Sequence, residues 1–392
     1  MRRFIGIHTH KKEEVLERVG GKGYKIVMKE IENKNFKEYE KYGMLPCEDD
    51  IDFNRDYTQV KVFYKDNQER ESIFRNMGLE VSSLSYIHYK FDKKKTFSYQ
   101  TKYKIDNKYP IYIISKNRYQ ENRHLTVTYM EESHINYYLC VLENERNEYQ
   151  SMLDRNHYTH CIKILSINSN YDMGGIPQRN KCWEHARENN HEKHWVVDDN
   201  IRRYYYFNRL QRIPIHSGVV FRCIEDMVDN IQENIAISGH NYRNDVKQCE
   251  MKKPFQLNNK VYSSILVNNK LLDQYNIHWR LKYNEDVDIC INCIKHGLYT
   301  LATNQVLADK QATGSIQGGN QDIYKNFTEK GYQDKLDALL DTHPDCVKGV
   351  EKFGRPHHFV DYKKISIHHK ESLTVKETRS WNHYNLELVT SS

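Results

Sequence analysis

An α/β fold, with a mostly parallel sheet preceded by a smaller α+β appendage, is what this sequence predicts. Two observations carry the prediction. Four short apolar runs, "YPIYIIS" (Tyr109–Ser115), "NYYLCVLE" (Asn136–Glu143), "CIKILSIN" (Cys161–Asn168) and "HWVVDD" (His194–Asp199), alternate with segments long enough for helices. Continuous apolar runs are the mark of strands buried on both faces, and their longer connections argue for parallel pairing. The second observation is a change of texture near residue 105. Before it the chain reads as mixed-charge helix and alternating strand.

The 392 residues suffice for two domains, because single cores rarely grow past roughly 250–300 residues. We place the appendage at 1–105 and the main domain, with a C-terminal extension, at 106–392. Lys and Arg outnumber Asp and Glu by 59 to 53, a mild bias toward anionic partners that excludes a histone-like charge. Nine scattered cysteines, an odd number, argue against a disulfide framework. The apolar run near the N-terminus breaks at His8, and no segment approaches the roughly 20 apolar residues of a membrane helix. The expectation is a cytoplasmic protein without a membrane partner.

Within the appendage, "KNFKEYEKYG" reads as helix and "YTQVKVFY" (Tyr57–Tyr64) as strand. The tract Tyr89–Tyr109 carries seven lysines against two aspartates, interleaved with Phe91, Phe97 and Tyr103. Such a mixture suits phosphate contacts with base stacking, or equally a solvated strand pair.

Open α/β sheets bind ligands at the carboxyl ends of their strands. The first strand empties into Ser115, Lys116, Asn117 and Arg118, and the second into Glu143. The third leads to "YDMGGIPQRN" and the fourth to Asp198, Asp199 and Asn200. Together these suit an anionic, nucleotide-like ligand with a metal. Two adjacent carboxylates on a strand can share Mg²⁺ or Mn²⁺, whose open positions take phosphates. Alternatively, Asp-Asp-Asn caps a following helix.

Gly174 and Gly175 precede Pro177 at a helix start, which sets Arg179 and Asn180 in the first turn, where a pyrophosphate is favoured. In "YNEDVDICINCIKHG" the apolar spacing predicts a helix capped by Asn284 and ended by Gly297. Glu285 and Asp286 then fall in its first turn, complementing the dipole or serving an acceptor hydroxyl as a base. Cys290 reads as core rather than as a zinc ligand, since no second pair has ligand spacing. In "GRPHHFVDY", His357 or His358 can complete a metal shell.

Taken in order, "YPIYIISKNR", "VLENERNEY", "GGIPQRNKCWEHA", "HWVVDDNI" and "NEDVDICINCIKHGLYT" resemble the TET-associated glycosyltransferases. This GT-A-fold family of phages and some eukaryotes is related to the base J glucosyltransferase of kinetoplastids. The resemblance spans roughly Tyr109 to Thr303, extending toward "GRPHHFVDY". It implies a GT-A (Rossmann-like) core that moves a sugar from a nucleotide-diphosphate donor such as a UDP-sugar to a hydroxyl, here that of a 5-hydroxymethylpyrimidine in DNA. It also implies a divalent metal on Asp198 and Asn200, with Asp199 beside them; His358, from the reading of the histidine pair, is added as a candidate metal ligand.

Ser115, Lys116, Arg118, Glu143, Gly175, Arg179, Asn180 and Asp198 become donor-site residues, and Asp286, with Glu285 as alternate, the base of an inverting displacement. The acidic motif ends in Asn200 rather than a third aspartate. With the strand ending at Val197 it is Asp198 that faces the metal, and a slip of one residue exchanges the pair. Arg202, Tyr204 and Trp279 are assigned to the acceptor or DNA, although at least two rings of Tyr204–Phe207 must point into the core. A protein or glycan acceptor, or a non-catalytic nucleic-acid-binding module on a transferase scaffold, are the alternatives.

Overall fold

The structure, a computed structural model, describes residues 3–9, 12–19, 25–31, 57–64, 66–78, 86–88, 96–168, 173–208, 211–246, 253–312, 315–319, 329–352, 354–367, 373–377 and 384–391. The segment "KNFKEYEKYG" and residues 89–95 of the basic tract lie outside them.

The N-terminal elements are β1 (Arg3–Thr9), α1 (Lys12–Val19), β2 (Lys25–Ile31), β3 (Tyr57–Tyr64), α2 (Asn67–Asn76) and β4 (Tyr86–His88). They form a four-stranded sheet of order β2-β3-β1-β4. Ile7 and Val62 from the sheet meet Val15, Val19, Ile73, Phe74 and Met77 in a core of their own. Asp66 caps α2 by accepting the Glu69 amide at 2.9 Å, as expected of an aspartate just before a helix.

The larger sheet has twelve strands. The first half of its chain comprises β5 (Thr96–Thr101), β6 (Ile111–Ile114), α3 (Leu125–Glu132), β7 (Tyr137–Leu142), α4 (Arg146–Arg155), β8 (Cys161–Ile167), α5 (Ile176–Glu188) and β9 (Lys193–Asp198). Next come β10 (Ile201–Asn208), β11 (Gln211–His216), α6 (Val219–Asp229), β12 (Ile235–Tyr242), β13 (Phe255–Leu257), β14 (Ser264–Asn268), α7 (Asn269–Gln274), α8 (Glu285–Lys295) and β15 (Tyr299–Lys310). The C-terminal part adds α9 (Glu329–Thr342), β16 (Val347–Lys352), β17 (Arg355–Val360), α10 (Tyr362–Ile365) and β18 (Leu386–Ser391).

Strand order is β18-β5-β11-β10-β15-β12-β14-β9-β6-β7-β8, with β13 also on β15. Following the pairings across, β10, β13, β14 and β18 oppose the other eight strands, so the sheet is mostly of one direction. The four apolar runs are β6, β7, β8 and β9, which form its continuous parallel portion. Packed on one face, Trp195 meets Phe221 edge-on at 4.9 Å and donates its indole N–H to buried Glu225 at 2.9 Å. Another cluster gathers Trp183, Ile237, Ile265, Trp279, Cys290 and Cys293. Cys290 is thus core, at the helical spacing that marked it. Among the described residues, no helix is long and apolar enough to cross a membrane.

Candidate active site

Four strands running in the same direction, β6, β9, β12 and β15, end at one cleft of about 270 Å³. They contribute Ile114 and Ser115, Asp198, Tyr242 and Lys310. The first turns of α5 and α8 add Gln178, Arg179, Glu285 and Asp286, while Lys335, His357 and His358 reach in from the C-terminal elements. Ser115, Lys116, Arg118, Gly175, Arg179, Asp198, Asp199, Asn200, Glu285, Asp286 and His358 therefore come together as the sequence analysis expected, from segments far apart in the chain.

The acidic motif is a tight turn. Asp198 is the last residue of β9, and β10 begins at Ile201, so no helix follows for the aspartates to cap. That alternative is corrected by the structure. The two carboxylates then diverge. Asp199 is buried against the Ser115 hydroxyl, which donates at 2.6 Å, and the Arg118 guanidinium. Asp198 keeps 21% of its side chain open, against 9% for Asp199, so Asp198 faces the cleft.

Cations enclose Asp198. The Arg179 guanidinium lies 3.2 Å from one oxygen and the Lys310 ammonium 3.0 Å from the other. Burial works to raise its pKa, but Lys310 and Arg179 overcome it and hold the carboxyl at about 2. Asp199 moves the other way, raised by burial against the pull of Arg118 and Ser115. Arg179 also donates to Glu285 at 3.1 and 3.2 Å, and the Trp279 ring lies 4.8 Å from its guanidinium carbon. One arginine thus ties the helix start of α5 to that of α8. Its Nη1 is buried and has no hydrogen-bond partner, a donor left unsatisfied at the wall of the cleft.

Asp286 is the group whose chemistry the cleft alters most usefully. Burial, then the neighbouring Glu285 charge, push its carboxyl up to about 7, against the opposing pull of Arg179, Lys310 and Lys335. A carboxyl near 7 exchanges protons readily at neutral pH. Asn284 precedes it in the left-handed region, with φ of 54°, and its side-chain amide donates to the Lys335 carbonyl rather than capping the helix.

Several assigned residues lie elsewhere. Glu143 is exposed and does not line the cleft; the buried carboxylate after β7 is Glu145, which accepts the Asn117 amide at 2.8 Å. Asn180 points outward, one residue past Arg179, because a helix turns about 100° per residue. Tyr204 is fully buried and hydrogen-bonds Ser264 at 3.0 Å, so it is a core residue and not an acceptor contact. Alternation puts Tyr204 and Tyr206 inward and leaves Tyr205 partly open beneath Arg243. Trp279, 3% exposed, backs Arg179 instead of meeting an acceptor. Arg202 is exposed beside Gln311, outside the cleft lining.

Lys310 was missed, yet "VLADK" is another apolar run that ends in a charge, the same signal that marked Asp198. Gly318 had no comparable signal. It has φ of +98°, and a Cβ there would lie 2.3 Å from the Asn117 carbonyl, so only glycine lets residues 315–319 close on the Ser115–Arg118 loop. The neighbouring Gly319 amide completes the contact, donating to the Lys116 carbonyl at 2.9 Å.

The family model described as TET-Associated Glycosyltransferase matches residues 109–320. The chain belongs to the TET-associated glycosyltransferase family. Its fold is mixed α/β, built on a large, mostly parallel central sheet. The TET-associated glycosyltransferase span holds every cleft residue named above except Lys335, His357 and His358, which lie beyond it.

Among solved structures, S. aureus TarS 1-349 is similar at 11% identity over 59% of this chain, with a TM-score of 0.36; the match spans 65% of that chain. The mannosyltransferase PcManGT from Pyrobaculum calidifontis, in complex with GDP-Man and Mn²⁺, is similar at 8% identity over 62% of this chain and 68% of that one, with a TM-score of 0.41. Mouse xyloside xylosyltransferase 1 is similar at 10% over 43% and 69%, with a TM-score of 0.25. No curated protein matches the chain.

Proposed function

We propose that this TET-associated glycosyltransferase moves a sugar from a nucleotide-diphosphate donor, a UDP-sugar, to the hydroxyl of a 5-hydroxymethylpyrimidine in DNA, with inversion at the anomeric carbon. The observation that carries the reading is the pairing of Asp286, at about 7, with Arg118, Arg179 and Lys310 in one cleft at the strand ends. Ser115, Lys116, Gly175 and the unpartnered Nη1 of Arg179 form the donor side. Asp286, with Glu285 beside it, forms the acceptor side.

In the step so assigned, the acceptor oxygen attacks the sugar's anomeric carbon as its bond to the diphosphate breaks. The proton passes to Asp286 and the bonding pair leaves with the diphosphate, whose charge the cations offset.

A divalent ion fits the donor side in part. Asn200 is 7% exposed and its buried Oδ1 has no hydrogen-bond partner, a hard oxygen that a cation could satisfy. Burial, with His357 and Lys335 nearby, lowers the His358 pKa to about 3, so this imidazole is neutral and able to ligate. Bound there, Mn²⁺ or Mg²⁺ would neutralise the leaving diphosphate. The Asp198, Asp199 and His358 ligand atoms do not converge within 4.8 Å; among the described residues only His343, Asp345 and Cys346 do so. Lys295 already lies 2.6 Å from Asp345 and 3.2 Å from His343. A metal on Asp198 would therefore take further oxygens from the donor.

We further assign the appendage to a separate nucleic-acid-contacting unit, supported by the self-contained four-stranded sheet of β1 to β4; β5 (Thr96–Thr101) pairs with β11 and β18 of the larger sheet, so the boundary expected at 105 moves back to before Thr96. The seven described cysteines are free thiols, in keeping with a cytoplasmic enzyme.

The test is transfer from a panel of UDP-sugars with Mn²⁺ to DNA containing 5-hydroxymethylcytosine or 5-hydroxymethyluracil, against unmodified DNA. Transfer to modified DNA alone, lost in Asp198→Asn and Asp286→Asn, is expected. Donor hydrolysis without transfer to any DNA would move the acceptor to a protein or glycan. Silence with every donor would favour a binding module. Product NMR showing the donor's anomeric configuration retained would refute inversion.

A further inference from the structure

We infer that the outer face of the β16–β17 hairpin is the docking surface for the acceptor's DNA backbone; this rests on the DNA reading above. The hairpin lies beyond the matched family span, at one wall of the cleft. Its register pairs Val347 with Val360, Lys348 with Phe359, Gly349 with His358, Val350 with His357 and Lys352 with Arg355. Directly opposed residues share a face, and faces alternate along each strand.

One face is accounted for. Val347 and Val360 join Leu339 in an apolar cluster, and a Cβ on Gly349 would lie 3.3 Å from Leu336 of α9. That face packs on the helix and presents His358 to the cleft. The opposite face carries Lys348 and Lys352 around two apolar side chains, Phe359 at 51% and Val350 at 40% exposed, with His357 beside them; Arg355 shares that register, but its guanidinium turns back over the Tyr332 ring of α9, 4.4 Å from its centre. They are two of only six large hydrophobics so exposed among the described residues, and they sit within two residues of each other across the pair. The acidic Glu351 belongs to the other face by the same alternation.

An exposed apolar pair flanked by two exposed lysines fits a polyanion with an apolar component, which a nucleic-acid strand supplies as phosphate and deoxyribose or base. Lys348 and Lys352 are four residues apart, roughly 13 Å along a strand. That equals the rise of about four nucleotides of a B-form strand. His357 makes the surface continuous with the reaction centre, since it lines both the outer face and the cleft. A strand bound here would run past the mouth beside Lys335, with its modified base at the Asp286 side.

The experiment uses the full-length enzyme and compares wild type with Lys348→Glu/Lys352→Glu and with Phe359→Ser. The readouts are anisotropy of fluorescein-labelled DNA bearing 5-hydroxymethylcytosine, donor hydrolysis without DNA, and thermal melting. The proposal expects the charge reversal to weaken DNA binding by at least roughly tenfold at 100 mM salt and to lower the salt slope by about two. Phe359→Ser should weaken binding without changing that slope. Both variants should keep donor hydrolysis and the melting temperature, because neither touches the donor side. DNA binding equal to wild type in both variants overturns the surface while the DNA reading stands. A surface serving a second copy would instead appear as a dimer in sedimentation that the same variants dissociate, with DNA binding intact, and this too overturns it. If wild type hydrolyses donor but binds no DNA, the acceptor reading itself fails, and the docking surface with it.

Discussion

Asp286→Asn should make the protein more stable while removing its activity. In the fold the Asp286 carboxyl is pushed from 3.8 to about 7, so between these values the folded state holds a proton that the unfolded chain has released. Stability therefore falls as pH rises from about 4 to about 7, and above that the full penalty is present. Some three pKa units at 1.36 kcal/mol each give an upper limit of roughly 4 kcal/mol. Asparagine removes this term and keeps the acceptor for the Val287 amide, which the aspartate oxygen now takes at 2.9 Å. Urea unfolding in the presence of a chelator, at pH 4 and pH 8, measures it. The variant should gain roughly 2–4 kcal/mol at pH 8 and almost nothing at pH 4, and should lose at least about a hundredfold in transfer rate. A gain of equal size at both pH values, or a loss at pH 8, would refute the buried, proton-holding carboxyl.

Other outcomes follow from the same geometry. Arg118→Ala strands the buried Asp199 carboxylate and should cost about 3–5 kcal/mol, read by thermal melting. Lys310→Met removes one of the two cations on Asp198. The stability that its depressed carboxyl contributes persists in wild type until pH falls toward 2, and in the variant it should be lost at higher pH, seen as an upward shift of the acid-unfolding midpoint. Gly318→Ala forces residues 315–319 away from Asn117 and should weaken UDP binding by about tenfold in calorimetry, with melting nearly unchanged. Tyr204→Ala should destabilise by roughly 3–5 kcal/mol through a core cavity, the behaviour of a packed ring rather than of a DNA contact.

The four parallel strands and the charged residues at their ends were legible in the order of residues alone. Burial on both faces writes a strand as an uninterrupted apolar run, and the polar residue that ends the run marks where the strand meets water or ligand. Ser115, Arg118, Arg179, Asp198 and Asp286 were legible for that reason, and so was the helix start before Asp286. Which side chains turn inward was settled by packing. Helical and pleated phase separate Arg179 from Asn180 and Tyr204 from Tyr205, and a shift of one residue reverses each assignment. Packing also settled what Asp198 meets, because Lys310 lies 112 residues away on β15 and no local pattern encodes that approach. The same holds for the hairpin. Its strands were not legible in "GRPHHFVDY" because the face that packs on α9 is made by Val347, Gly349, His358 and Val360, too few apolar positions to write an alternation, and what remains exposed there, Lys348, Lys352 and Phe359, became a surface only once β16 and β17 paired.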